Sequence, residues 1–199
     1  MVMSATFAFL VCGCSVQEHR NGQAENVHLH TPLGGLDVRT NSLHGSDVGL
    51  PVYPGATEMG THGDDSGSAD IHMNFGHWRL NVKAIEYQSP DPEGKVIAFY
   101  KNAMGKYGDV LTCKERVAVG EPAKTSQGLT CADDHEYDVH VKVDSTKKPA
   151  TVPATNWSGD IKLLAGSPGN QHIVEFSPGS KGTKFSIVAL QLPHKDETD

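Results

Sequence analysis

No stretch of this 199-residue chain approaches the roughly 20 consecutive apolar residues that a membrane-spanning helix requires, so no helical span is expected. Cysteine is scarce, with four residues and no Cys-x-x-Cys spacing, which argues against a thioredoxin-like redox pair and against a structural zinc site. Basic residues are in the minority, 17 Lys and Arg against 24 Asp and Glu, and they are scattered. A formal charge of −7 without a basic patch leaves no electrostatic footprint for a phosphate backbone, and nucleic acid is set aside as a partner. Also missing are the Gly-x-Ser-x-Gly elbow, the Gly-x-x-x-x-Gly-Lys-Ser/Thr loop, the dinucleotide fingerprint and the His-Glu-x-x-His helix. The expectation is a non-enzymatic protein with no resident cofactor, although triads assembled in space leave no such trace in a sequence.

What is present starts at the N-terminus. An uncharged apolar run from Met1 to Val11 leads into Val11-Cys12-Gly13-Cys14, the pattern of a bacterial lipobox. Residues 1–13 then read as a lipoprotein signal peptide and Cys14 as the lipidation site, although the basic residues that normally precede such a run are absent. The competing reading is a buried strand or helix of a cytosolic protein. On the lipoprotein reading, residues 14–24 are the lipidated cysteine and a flexible polar tether. The membrane becomes a partner through the acyl anchor, and the protein is exported to the cell envelope, facing the periplasm or on the outer membrane. Cys12 leaves with the signal and Cys14 is acylated, so Cys113 and Cys131 remain as an even pair in an oxidising compartment. A disulfide between two neighbouring antiparallel strands is expected, with two buried free thiols as the alternative.

The remainder, 25–195, suits one domain able to bury a core. Val27 and Leu29 alternate with His28 and His30; residues 31–35 supply a turn and 36–40 a returning strand. Pro54-Gly55 favours a tight turn, and 60–68 is a Gly, Ser and Asp loop. Ile71, Met73 and Phe75, the two-residue turn Gly76-His77, and Trp78, Leu80 and Val82 make a hairpin with one apolar face. The alternation then slips to Ile85 and Tyr87, which predicts a bulge near Ala84. A helix capped by Ser89 or Asp91 carries Val96, Phe99, Tyr100, Ala103, Met104 and Tyr107 at helical spacing and ends at Gly108, with Phe99 expected in the core. Strands follow over 110–119, 129–132, 137–143, 161–165, 171–176 and 184–192, interrupted by a long loop over 144–159. The fold class is α+β: a mainly antiparallel β-sheet with one principal amphipathic helix packed on a face.

Several residues carry possible chemistry. His28 and His30 share one strand face, a spacing that presents two imidazoles to one metal ion. No third ligand accompanies them, so exposed polar positions are the simpler reading and no metal is assigned. Asp133, Asp134, His135 and Glu136 form an acidic cluster without calcium-loop spacing, read as a solvated turn. Trp157, inside a chance glycosylation sequon, reads as an anchor for the long loop, and Tyr53 and Trp78 either line an apolar groove or pack in the core.

The combination of Thr31-Pro32-Leu33-Gly34-Gly35-Leu36, Leu50-Pro51-Val52-Tyr53-Pro54-Gly55-Ala56, and Val96-Ile97-Ala98-Phe99-Tyr100 with Lys106-Tyr107-Gly108 resembles a group of uncharacterised bacterial secreted proteins and lipoproteins. The resemblance spans about 26–192. It implies an exported envelope protein and brings no catalytic residues with it. The function expected is that of a non-enzymatic envelope lipoprotein that binds or scaffolds an envelope protein or glycan. The alternative is a periplasmic small-ligand or metal-binding protein using His28 and His30 or the acidic cluster.

Overall fold

The computed structural model describes residues 15–21, 24–60, 67–131, 161–178 and 182–193. The lipobox with Cys14, the acidic cluster at 133–136, the expected strand at 137–143, the expected loop at 144–159 and Trp157 lie outside the described residues. Among the described residues no helix is long and apolar enough to cross a membrane.

The chain is mostly antiparallel β-sheet with one α-helix. Eleven strands enter one sheet: β1 (Ser15–Asn21), β2 (Ala24–Thr31), β3 (Gly34–Thr40), β4 (Thr57–Glu58), β5 (Ser68–Phe75), β6 (Trp78–Ser89), β7 (Leu111–Lys114), β8 (Val117–Ala118), β9 (Ile161–Ser167), β10 (Asn170–Pro178) and β11 (Thr183–Gln191). Their spatial order is β1-β2-β3-β5-β6-β11-β10-β9-β7-β8, with β4 also pairing with β6. The single helix α1 spans Glu93–Met104 and continues as a short 3-10 turn, Gly105–Tyr107, before Gly108.

The hairpin read from alternation forms as expected: Phe75 pairs with Trp78 and Ile71 with Val82 across the Gly76-His77 turn. The three late strands also form, as β9, β10 and β11. Pro54-Gly55 makes its turn, with the Ala56 amide donating to the Tyr53 carbonyl at 3.0 Å and Gly55 taking φ 79°.

Five expectations are corrected. Ser15–Asn21, read as a flexible tether, is strand β1, paired from Ser15 with His30 to Asn21 with Ala24. Backbone hydrogen bonds hold an edge strand without an apolar side-chain pattern, so this pairing left no alternation to detect. No bulge occurs at Ala84: it pairs with Ala69 on one side and Val188 on the other in unbroken register. The helix N-cap is Pro92, with no side-chain cap. The Asp91 carboxylate instead accepts from the Tyr53 hydroxyl at 2.8 Å and from Lys95 Nζ at 3.2 Å. Around Leu129 there is no strand, only an isolated bridge between Lys124 and Thr130. Cys113 and Cys131 are joined by a disulfide, but Cys131 follows that irregular segment rather than lying on a strand beside β7.

The core explains the slip of the hydrophobic pattern. Ile85 and Tyr87 of β6, Phe185 and Ile187 of β11, Val174 and Phe176 of β10, and Ile161, Leu163 and Ala165 of β9 are directly opposed across the strands and so share one sheet face. They form one buried cluster with Leu43, Val48, Leu50 and Tyr53 and with Val96, Ile97, Tyr100 and Met104 of α1. Phe185 is its aromatic centre, with ring centroids 5.6 Å from Tyr87, 5.4 Å from Tyr100 and 6.3 Å from Phe176. Phe99 is only partly buried, so Val96, Tyr100 and Met104, with Ile97, carry the buried side of the helix. A smaller cluster of Leu111, Cys113, Ala118, Leu129, Cys131 and Leu164 surrounds the disulfide. Upstream of Ala84, β6 turns its apolar residues Leu80 and Val82 to the opposite face.

Two stability predictions follow from this packing. Phe176→Ala should destabilise the protein by about 3–5 kcal/mol in urea unfolding, and Phe99→Ala by clearly less because its ring is half-buried. Replacing both Cys113 and Cys131 by Ser, which opens a link between residues 18 apart, should cost about 3 kcal/mol in the same assay.

Candidate functional site

The strands β2, β3, β5 and the first half of β6 extend the sheet beyond the main core. Among the described side chains of β2, β3 and β5 no hydrophobic one is buried, although these strands carry a regular apolar alternation. Register sorts their residues into two faces. Val27 and Leu29 of β2, Leu36 and Val38 of β3, Ile71 and Met73 of β5, and Leu80 and Val82 of β6 oppose one another on one face, all half-buried. The other face is polar: His28, Asp37, His72 and Asn81 form one rung, and Asn26, Arg39, Asp70 and Lys83 another.

On the polar face, histidines and carboxylates pair across and along strands. His28 Nδ1 meets the Asp37 carboxylate on the neighbouring strand. That hydrogen bond, helped by the nearby charges of His28, His30 and Arg39, holds the Asp37 carboxyl below its ordinary range against the opposing effect of burial. His72 Nε2 lies 2.8 Å from Asp70 Oδ1, and Asp70 is buried between Arg39 and Lys83 in register. The sequence placed His28 and His30 on one strand face, and the register agrees. They are not gathered on one point, however: His28 is engaged by Asp37, while the His30 ring rests over Gly35, where an added Cβ would come within 3.4 Å of it. Among the described residues no three His, Cys, Asp or Glu side chains assemble as a metal-holding group.

Tyr53 and Trp78 do not share a groove. Tyr53 is buried, edge-on to Phe99 at 5.1 Å. Trp78 is 42% exposed at the far end of β6, beside Phe75, itself 41% exposed, with ring centroids 6.2 Å apart. Asp37 and His72 were not singled out from the sequence. Their only signal was position within alternating segments, and their partners follow from register, which a single strand does not disclose.

A third unforeseen residue is His172 on β10, which lies on the core face between Ala165 and Ala189. Its ring stacks on Tyr107 at 3.5 Å, 10° from parallel, and is 8% exposed. The Tyr107 hydroxyl and Lys106 Nζ both donate to the Gly49 carbonyl, at 2.6 and 2.8 Å, and Lys106 lies 4.9 Å from the Tyr107 ring centroid. Burial, with the Lys106 charge adding to it, lowers the His172 pKa and favours the neutral ring.

Comparison with protein-family models, with curated proteins and with solved structures finds no match to the chain.

The buried neutral imidazole has a thermodynamic consequence. As pH falls through the ordinary histidine value of 6.5, the unfolded chain takes up a proton at position 172 that the native chain resists. Stability should therefore decline as pH drops below about 6.5 and level off once pH passes the lowered native value. Urea midpoints measured between pH 7.5 and 5 should show this decline, and His172→Phe should flatten it.

Proposed function

We propose that the protein is an envelope lipoprotein, anchored by acyl chains on Cys14, that acts without catalysis as a binding or scaffolding domain. The observation that carries the binding role is the two-faced extension: a regular apolar face on β2, β3, β5 and β6 that stays half-exposed, backed by a polar face of paired His and Asp side chains. A contiguous apolar surface left open to solvent is a mark of an interaction site. In this reading α1 covers one face of the β6-β11-β10-β9 half, supported by its burial with their side chains, which leaves the other half of the sheet for a partner.

The anchor rests on Val11-Cys12-Gly13-Cys14 and on the likeness to bacterial secreted proteins and lipoproteins, and the Cys113–Cys131 disulfide accords with an oxidising compartment. A lipid at Cys14 would leave the chain directly before β1, with no tether between anchor and sheet.

Detergent phase partitioning tests the anchor. Wild type should enter the detergent phase and Cys14→Ser the aqueous phase, with intact mass reporting the added acyl groups; equal partition of both into water would sink the reading.

A further inference from the structure

Three of the five exposed large hydrophobic side chains among the described residues, Leu33, Phe75 and Trp78, lie together at one end of the sheet; Val52 and Val117 are the other two. Leu33, 83% exposed, occupies the β2–β3 turn, while Phe75 and Trp78 flank the β5–β6 turn. Gly34 pairs with Phe75, and Phe75 with Trp78, so the three lie on or next to a single rung. The Phe75 ring covers Gly34 closely enough that any Cβ there would collide with it. Ser15, the first described residue, pairs with His30, one position short of that rung. The bond into Ser15 therefore enters from the same end, about 15 Å across the sheet from β5 at ordinary strand spacing.

Charge is distributed to match. The chain carries a net −7 with histidine neutral, yet neither 26–36 nor 71–85 contains an Asp or Glu, whereas 71–85 holds Arg79 and Lys83. Arg79 and His77 line an open depression at the same end of β6 together with Asn81 and Gln191.

We propose that this end of the sheet docks onto a lipid bilayer bearing anionic headgroups, with Leu33, Phe75 and Trp78 entering the interfacial layer and Arg79 and His77 facing the headgroup phosphates. The side chains have the chemistry of that layer: Trp combines a large apolar ring with a polar N–H suited to the headgroup level, and Leu and Phe reach the acyl boundary. Acid-free flanks remove the repulsion that a −7 chain would otherwise meet at an anionic surface. The inference rests on the lipoprotein reading for its orientation, because an acyl anchor leaving before Ser15 holds this end, and not the helix end, against the membrane.

The test uses the whole exported protein carrying Trp157→Phe, which leaves Trp78 as its one tryptophan. It is mixed with phosphatidylcholine/phosphatidylglycerol vesicles whose acyl chains are brominated. Trp78 emission should fall at least twofold relative to unbrominated vesicles of the same composition, and the added pair Leu33→Ser and Phe75→Ser should restore it, with urea midpoints checking that this variant is folded. Unquenched Trp78 at saturating vesicles would overturn the proposal and leave these side chains to a protein partner. Quenching that persists in the folded Leu33→Ser/Phe75→Ser protein would overturn it as well. Intact mass of the same sample reports acylation separately: an acylated protein with unquenched Trp78 refutes the docking alone, and an unacylated protein with quenched Trp78 refutes the anchor alone.

Discussion

Strict alternation along an unbroken β6 is the constraint on which the architecture depends. Twelve residues run from Trp78 to Ser89 without a bulge, paired with β5 on one edge and β11 on the other. Successive side chains must point to opposite faces. Leu80 and Val82 therefore cannot join the core that receives Ile85 and Tyr87, and the sheet buries one face in one half and offers the other face in the next. Neighbouring β11 obeys the same rule, with Phe185 and Ile187 in the main core and Val188 and Leu190 on the opposite side. Full burial of a large apolar side chain is worth about 1.5–3 kcal/mol, so the deeply buried half dominates stability. The half-buried residues of the extension contribute less.

The polar face of the extension has its own organisation. His28 with Asp37 and His72 with Asp70 place imidazole beside carboxylate on adjacent strands or on one strand, while Arg39 and Lys83 bracket the buried Asp70. The His28–Asp37 hydrogen bond partners groups on a half-buried surface, and the two pairs together favour one register over a shift by one residue, which would carry every charge to the apolar side. At the other half, a comparable tie joins the Tyr53 hydroxyl, the Asp91 carboxylate and Lys95, and the Thr183 hydroxyl donates to the Asp91 carbonyl at 2.8 Å. The loop before β4, the entry to α1 and the start of β11 are thereby held together.

Elements with local signals were legible in the sequence. The Ile71–Val82 hairpin, the Pro54-Gly55 turn, the late strands and the extent of the helix all follow from period and turn chemistry within a few residues of chain. The slip at Ala84 was visible too, but a change of covered face and a bulge leave the same trace in one strand, and only pairing on both sides distinguishes them. Polar β1 carries no alternation at all. Phe99 and Ile97 exchange places in the core because a helical stripe predicts a face, while the depth of each residue depends on what lies opposite. The site was less legible still: His28 and His30 could be placed on one strand face, but Asp37 meets His28 only through the register of the β2–β3 hairpin, and Tyr107 reaches His172 from a segment far away in sequence.

The seam between β6 and β11 opposes Asn81 to Gln191, residues 110 apart, whereas the β2–β3, β5–β6 and β10–β11 pairs are each hairpins of short span. Local hairpins close quickly, and a pairing that must first constrain a long intervening chain closes slowly. Of the described strand pairings this seam spans the longest stretch of chain and carries the largest loop-closure cost, and the apolar faces of Ile85 and Tyr87 are covered by Phe185 and Ile187 only where it has closed.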